Sequence, residues 1–333
     1  MVARKIKKRR RYSKAELELA KETGDIQIIG ELAGRLMDGE SMSVAETNFA
    51  ASILRATRAA GSISFIDLAP IPAAQDFIFK NLYILYHADL EGKYGIDKPF
   101  GQASREEKRE DVIRLNEYYR DWKKVYSKNN HKGNPLLNLV INESNNEEYK
   151  ELKEIFKRGE INQEDFDYKE KSIILHSKYL YLTAKAFFDE HQSDEVVAKF
   201  HSREIVINEY SLVHILNRHL AGVVKQFNTN KSFHMDREIK WFELPYDLKS
   251  IIESLGTHPD TDISNLKFLP FKFNGILYTM WTEQKTKHQA GEVIPIIRLQ
   301  SCYPVEDSVE LKKIQHQYRE VPINEKLSAF VAV

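Results

Sequence analysis

The 333-residue sequence has one cysteine, Cys302, and no apolar run long enough to cross a bilayer. A single cysteine cannot form an internal disulfide or supply the paired thiolates of a zinc ribbon. A membrane-spanning helix needs about 20 consecutive apolar residues, and the longest candidates here are interrupted by Lys, Asp or His. The basic N-terminal residues are followed by no apolar segment of the secretory type. These absences predict a cytoplasmic protein that does not enter a membrane.

Three phosphate-binding and nucleophile motifs are also missing. The sequence contains no G-x-G-x-x-G, no G-x-x-x-x-G-K-[ST] and no G-x-S-x-G. The dinucleotide-binding, P-loop and α/β-hydrolase classes therefore have no support. We expect neither a cofactor nor a metal.

What the chain does have is enough apolar material for real cores. Hydrophobic residues make up 42% of it, with 17 Phe, 16 Tyr and 3 Trp. Since 333 residues exceed the size of one ordinary core, two domains are expected.

The net charge of zero conceals a basic segment at residues 1–12. Removing its seven cations leaves 42 basic against 49 acidic residues, so the rest of the chain carries a net charge of −7. A basic arm on an acidic body is typical of phosphate contacts with nucleic acid, which depend strongly on salt. A solubilising tail, or an arm that docks on an acidic neighbour, is the other interpretation. The cations expected to contact RNA are Arg4, Lys5, Lys7, Lys8, Arg9, Arg10 and Arg11.

Residues 13–126 read as a helical domain. Ser13–Glu16, Ser43–Glu46 and Ser104–Glu107 each match the S-x-x-E capping box, in which the hydroxyl and the carboxylate satisfy first-turn N–H groups. A strongly apolar helix is expected at 73–87. The Asn-rich stretch 127–148 is interpreted as a linker or long loop, and 127–200 as linker and connecting helices.

The rear of the chain, 201–305, predicts a small α+β domain. A strand at 203–207 precedes a helix from 209 to about 220, and two β-rich runs flank Asn274-Gly275, which favours a type I′ hairpin. A further strand is expected at 292–303. Residues 306–333 are interpreted as a C-terminal helix and tail. The fold class is thus α+β, with a helical N-terminal domain followed by an antiparallel sheet and helix.

Two polar clusters in this rear domain are candidates for chemistry. On the predicted helix, His214 and Arg218 are four residues apart and share a face, whereas His219 points elsewhere. On the last strand, simple alternation puts Arg298 on one face and Ser301 and Tyr303 on the other, unless a β-bulge intervenes. His234 and Arg237 could add phosphate-binding groups beside the helix.

Together, a helix with H-I-L-x-R-H, an antiparallel sheet and a closing strand R-L-Q-S-C-Y-P resemble the barnase–EndoU–colicin–RelE group of ribonucleases over residues 201–305. That resemblance implies metal-independent RNA cleavage by a regulated intracellular toxin or phage-defence effector. It also implies an inhibitory or activating protein partner for the helical domain. The implied catalytic residues are His214, Arg218, His219, Arg298, Ser301 and Tyr303, with the choice between the two histidines left open.

Two other functions compete with this one. A non-catalytic module that binds RNA or protein would use the basic arm for affinity. A Mg²⁺-dependent nuclease would use Asp260, Glu283 and Lys285, which resemble a P-D…(D/E)-x-K arrangement.

Overall fold

The computed structural model describes most of the chain, and all statements on structure below concern the described residues. These are 10–38, 40, 42–59, 74–86, 104–128, 131, 133–219, 244–259, 261, 266–289 and 291–333. The chain divides into two compact units, Met1–Leu82 with Ile96–Leu115, and Tyr83–Gly95 with Asn116–Val333. Among the described helices, none is long and apolar enough to span a membrane.

Helices dominate the N-terminal half. In chain order they are α1 (Lys14–Thr23), α2 (Ile26–Met37), α3 (Val44–Ala59), α4 (Gln75–Tyr86), α5 (Arg105–Tyr126), α6 (Pro135–Ser144), α7 (Lys150–Lys157), α8 (Gln163–His191), α9 (Glu209–His219), α10 (Leu244–Thr257) and α11 (Ser308–Gln317), with a π-helical turn, Asn145–Tyr149, between α6 and α7. All three predicted capping boxes are present, because each serine hydroxyl accepts from the glutamate N–H and each carboxylate accepts from the serine N–H. The apolar helix expected at 73–87 is α4, which is buried along most of its length.

One sheet organises the C-terminal half. Its strands are β1 (Glu195–Phe200), β2 (Arg203–Asn208), β3 (Phe268–Phe273), β4 (Ile276–Gln289), β5 (Glu292–Pro304), β6 (Tyr318–Pro322) and β7 (Leu327–Ala332). The order across the sheet is β1-β2-β5-β4-β3-β7-β6, and only the β2–β5 pair is parallel. Helices in the N-terminal half of the chain and a mostly antiparallel sheet in the C-terminal half agree with the predicted α+β class.

The predicted hairpin across Asn274-Gly275 is confirmed. Strands β3 and β4 pair in antiparallel register from Phe268↔Trp281 to Phe273↔Ile276. Asn274 and Gly275 have φ values of 46° and 81°, as a type I′ turn requires.

The interpretation of 127–148 as a linker or long loop was wrong from Pro135 onward, because Pro135–Ser144 and Asn145–Tyr149 are helical. Asn134 caps α6 by accepting from the Leu137 N–H, and Pro135 occupies the first turn, where its missing N–H costs nothing. Buried Leu136, Leu137, Val140 and Ile141 then hold α6 against its neighbours. Helix α6 packs on both α8 and α9. The described asparagines of this stretch are a cap, at Asn134, and partly or fully exposed positions of the helical segment that follows.

The sheet also continues beyond 201–305 at both ends. Strand β1 begins at Glu195 and pairs along its length with β2. The helix expected in 306–333 is α11, but the residues after it are not a tail. They form β6 and β7, and β7 pairs with β3 through Phe271↔Ala329.

Helix α10 lies unusually close to strand β1 at Gly256. A Cβ atom at this position would stand 2.4 Å from the Cα of Phe200 and 2.9 Å from the backbone nitrogen of His201. The His201 N–H donates to the Gly256 carbonyl at 3.1 Å. Only glycine permits this contact between two backbones.

A buried histidine lies in the helical part of the second unit. His176 of α8 is fully buried, and its Nδ1 lies 2.5 Å from the Tyr83 hydroxyl. Its Nε2 has no hydrogen-bond partner among the described residues. Burial lowers the pKa of His176 to about 3, since an imidazolium there would be desolvated.

Replacing Gly256 with alanine should destabilise the protein by about 1–3 kcal/mol, because the added methyl group forces β1 and α10 apart. Chemical denaturation measures this change in the free energy of unfolding. Gly30→Ala in α2 is the matched control, since no heavy atom lies within 4 Å of a Cβ there. Equal stabilities for Gly256→Ala and wild type would show that the contact is loose.

The buried imidazole predicts a specific dependence of stability on pH. In the unfolded chain His176 binds a proton near its ordinary pKa of 6.5, but in the folded chain only near about 3. The contribution of the neutral His176 to the free energy of unfolding is therefore fully present above pH 6.5. It is lost as the pH drops toward 3, by at most about 1.4 kcal/mol per pH unit. His176→Gln should lose less stability than wild type in this window, measured by denaturation at several pH values. The exposed His316→Gln variant should keep the wild-type slope, and parallel curves for His176→Gln would contradict the argument.

Candidate functional site

Helix α9 is held on strand β5 by one buried hydroxyl. The Asn208 side chain accepts from the Ser211 N–H at 3.1 Å and so caps the helix. The Ser211 hydroxyl then donates to the carbonyl of Leu299 on β5 at 2.6 Å. Leu212, Ile215 and Leu216 of the same helix are buried. These contacts fix the position of α9 on the sheet, and therefore which of its side chains lie next to which residues of β5.

Four side chains of α9 and β5 form a layered group, called here the cationic column: Arg298, Tyr210, His214 and Arg218. The Arg298 guanidinium lies 4.1 Å from the centroid of the Tyr210 ring. The Tyr210 ring also stacks on the His214 imidazole, at 5.2 Å and 14°. Arg218 Nη1 lies 3.4 Å from His214 Nε2. The predicted shared face of His214 and Arg218 is thus present and extends through Tyr210 to the strand.

Carboxylates and an amide surround the column. Glu143 Oε2 lies 3.4 Å from His214 Nδ1, and Glu147 Oε2 lies 3.4 Å from Arg218 Nη2. At the other end, Arg298 donates to the Gln300 side-chain oxygen at 2.9 Å and lies 3.6 Å from Glu283. His214 is only 7% exposed, so these partners rather than water set its surroundings.

A β-bulge places Arg298 and Ser301 on one face. Arg298 pairs with Glu283 and Ser301 with Trp281, two residues apart on β4, while Gln300 falls in the register shift between them. Positions two apart on β4 share a face, so Arg298 and Ser301 share it too. The simple alternation expected for this strand was wrong, because the bulge inserts one extra residue.

The remaining predicted catalytic residues form a second group. His219 Nε2 lies 3.2 Å from the Ser301 hydroxyl, and its ring stacks on Tyr303 at 5.0 Å and 25°. The Tyr303 hydroxyl donates to Glu310 at 3.2 Å and accepts from Trp281 Nε1 at 3.0 Å. Burial raises the pKa of Tyr303 to about 12. His219 therefore contacts different residues from those that His214 contacts, as its position on the helix predicted.

Several buried polar atoms of α9 and β5 have no acceptor or donor within the described part of the chain. They are the Nε atoms of Arg218 and Arg298 and both side-chain polar atoms of Asn217. A buried guanidinium N–H without an acceptor is costly. The two arginines thus retain donors that an anion could satisfy.

A cleft of about 1020 Å³ opens along β2, β4 and β5. Val206 and Glu283, the register partners of Arg298 on β2 and β4, both line it. Its lining includes apolar residues and charged residues of both signs. The other lining residues are Glu195, Val197, Ser202, Arg203, Glu204, Leu266, Lys267, Thr282, Gln284, Lys287, Ile294, Pro295, Ile296 and Ile297.

Other predicted site residues lie elsewhere or cannot be placed. Arg10 pairs with Glu16 in the first unit, and Arg11 is also described there. The basic residues Arg4, Lys5, Lys7, Lys8 and Arg9, together with His234, Arg237 and Asp260, lie outside the described residues.

For the competing metal site, Glu283 accepts from Lys285 at 2.8 Å, and this hydrogen bond lowers the pKa of Glu283. The described ranges, which omit Asp260, hold no group of three His, Cys, Asp or Glu residues placed to bind a metal.

Sequence reasoning missed Glu143 and Glu147. Both lie in the stretch interpreted as a linker, four residues apart on α6 and the π-helical turn. Asn134-Pro135 followed by apolar residues at helical spacing is a helix start that could have revealed them.

No protein-family model, curated protein or solved structure matches this chain.

Replacing Ser211 with alanine should lower the free energy of unfolding by about 1–3 kcal/mol, since the buried Leu299 carbonyl loses its side-chain donor. Thermal or chemical denaturation tests this. Ser202→Ala, at an exposed serine of the β1–β2 turn, is the control and should be neutral. Equal stability of both variants would mean that the hydroxyl does not hold α9 in place.

Proposed function

We propose that this chain is a metal-independent endoribonuclease of the cytoplasm, whose cationic column holds the scissile phosphate. One observation carries the proposal: the buried Nε–H groups of Arg218 and Arg298, which have no acceptor among the described residues, belong to the two guanidinium groups at the ends of the stacked Tyr210 and His214 rings. Arginine is suited to phosphate because its planar fork donates two hydrogen bonds and stays charged.

The proposed reaction uses the RNA 2′-hydroxyl as nucleophile. A base removes the hydroxyl proton, the 2′-oxygen bonds to phosphorus, and the 5′-oxygen leaves with a proton from an acid. The products are a 2′,3′-cyclic phosphate and a 5′-hydroxyl. Histidine titrates near neutrality and serves well in either proton transfer. We assign His214 as the base and test His219 as the acid.

The arginines would act on the charge that develops at phosphorus. In the pentavalent state the non-bridging oxygens gain negative charge, which fixed cations in a site of low water content stabilise strongly. Arg298 is held for this by Tyr210 and Gln300. The cleft lined by Val206 and Glu283, the register partners of Arg298, would give the flanking nucleotides an approach.

The biological role is part of the same proposal. A nuclease of this kind would serve as a regulated toxin or phage-defence effector, with a protein partner acting on the helical N-terminal part. This role rests on the resemblance of residues 201–305 alone.

Incubation of purified protein with RNA in EDTA tests the activity. We expect cleavage of RNA but not of DNA, with cyclic phosphate ends. His214→Ala should reduce turnover by about 10²- to 10⁴-fold and Arg298→Ala by about 10²- to 10³-fold. His219→Ala enters the same series and decides whether that residue supplies the acid. The exposed His316→Ala and Arg319→Ala variants are matched controls, and circular dichroism checks that every variant folds.

Each other outcome rejects the proposal in a defined way. Cleavage only with Mg²⁺ would transfer the activity to Asp260, Glu283 and Lys285. RNA binding without cleavage, unaffected by His214→Ala but lost on deletion of residues 1–12, would identify a non-catalytic binding module. Turnover that persists in His214→Ala would remove this histidine from the mechanism.

A further inference from the structure

Two glutamates, one at the end of α6 and one in the π-helical turn after it, each contact one residue of α9. Glu143 lies against His214 and Glu147 against Arg218, each at 3.4 Å. The two glutamates are four residues apart on their segment, and His214 and Arg218 are four apart on α9, so the two contacts lie one turn apart. Glu143 is the penultimate residue of α6, just before the π-helical turn.

The two nitrogens of His214 face opposite kinds of hydrogen-bonding partner. Nδ1 faces the carboxylate of Glu143, which when ionised can only accept. Nε2 faces Arg218 Nη1, which can only donate. A neutral imidazole satisfies both partners in one tautomer alone, with hydrogen on Nδ1 and a lone pair on Nε2.

We propose that Glu143 is a positioning residue that holds His214 in the Nδ1-protonated tautomer, so that Nε2 is the atom that accepts the proton. The catalytic consequence rests on the proposed ribonuclease function, whereas the tautomer itself does not. When a phosphate engages Arg218, Nε2 is released to take the 2′-hydroxyl proton. The O–H bond breaks, an N–H bond forms at Nε2, and the ionised Glu143 faces the resulting imidazolium.

The surroundings of Glu143 suit a positioning role. Val140 and Ile141, just before it, and Ser144, just after it, are buried, and the Tyr126 hydroxyl donates to the Ser144 hydroxyl at 3.4 Å. The carboxylate therefore projects from a packed helix rather than from a loop. Residues that position a catalytic group must themselves be held in this way.

The charged groups around His214 separate the role of Glu143 from that of its neighbours. Glu147 contacts Arg218 instead of the imidazole, and Glu283 contacts Arg298 at the far end of the column. Tyr210 covers one face of the ring. Among the described residues around His214, it is Glu143 that supplies an acceptor to Nδ1.

The tautomer can be observed directly by long-range ¹H–¹⁵N NMR of labelled histidine, at a pH where the imidazole is neutral. His214 is assigned from the signals missing in His214→Ala. In wild type we expect a protonated, pyrrole-type Nδ1 and a pyridine-type Nε2. Glu143→Leu, which removes the acceptor, should shift the population toward the Nε2-protonated form. Glu143→Gln, whose amide oxygen still accepts, should keep the wild-type tautomer.

Turnover should follow the tautomer. Glu143→Leu is expected to lose about 10- to 100-fold in kcat, the usual effect of removing a partner that orients a reactive histidine, and Glu143→Gln should retain more activity than Glu143→Leu. Glu151→Leu, at an exposed glutamate two turns further on, is the matched control and should change neither the tautomer nor kcat.

Failure of this inference is distinguishable from failure of the ribonuclease proposal. An Nε2-protonated His214 in wild type, or an unchanged tautomer in Glu143→Leu, overturns the role of Glu143 even if RNA is cleaved. An Nδ1-protonated His214 that Glu143 controls, in a protein that cleaves no RNA, supports the positioning role and rejects the ribonuclease. If Glu143→Leu does not fold, the wild-type spectrum decides, because an Nε2-protonated form there contradicts the inference on its own.

Discussion

The arrangement of the candidate site depends on the β-bulge at Gln300. Without the extra residue, strand alternation would direct Arg298 and Ser301 to opposite faces of the sheet. With it, Arg298 reaches Tyr210 near the start of α9 and Ser301 reaches His219 at its end. Helix α9 can therefore place two histidines over strand β5. His219 lies beside Ser301, and His214 stacks on Tyr210, which contacts Arg298. Bulges recur near active sites because they redirect a side chain while the ladder around them stays paired.

The electrostatics of the column show how it can hold two partly buried arginines. Glu147 and Glu283 each lie within 3.6 Å of one guanidinium, which offsets part of the cost of desolvation. These carboxylates occupy only some of the donors, since the Nε atoms have no acceptor within the described ranges. A phosphate would therefore compete with carboxylates for the arginines rather than enter a purely positive pocket. That competition costs affinity, but it favours a ligand with several oxygens in one rigid group.

Sequence reasoning succeeded where the signal is local. Asn274-Gly275 specifies its turn through positive φ, the three serine–glutamate boxes specify helix starts, and Asn208 caps α9. It failed where the outcome depends on contacts between distant segments. Nothing in R-L-Q-S-C-Y-P encodes a bulge, because the shift arises from pairing with β4. The Asn-rich segment around α6 has the composition of a loop, and its apolar residues become decisive only once α8 and α9 are present to cover them.

The same dependence on distant segments argues against an independent module at 201–305. A cut at residue 201 would remove β1 and leave β2 as an open edge, and a cut at 305 would remove β7 and expose β3. Open edges invite pairing with other chains. The cut would also separate His214 from Glu143, which comes from a helix more than fifty residues upstream of the first boundary. The column and its contact with Glu143 thus need three segments, α6, α9 and β5, to be folded together. All three belong to the second unit.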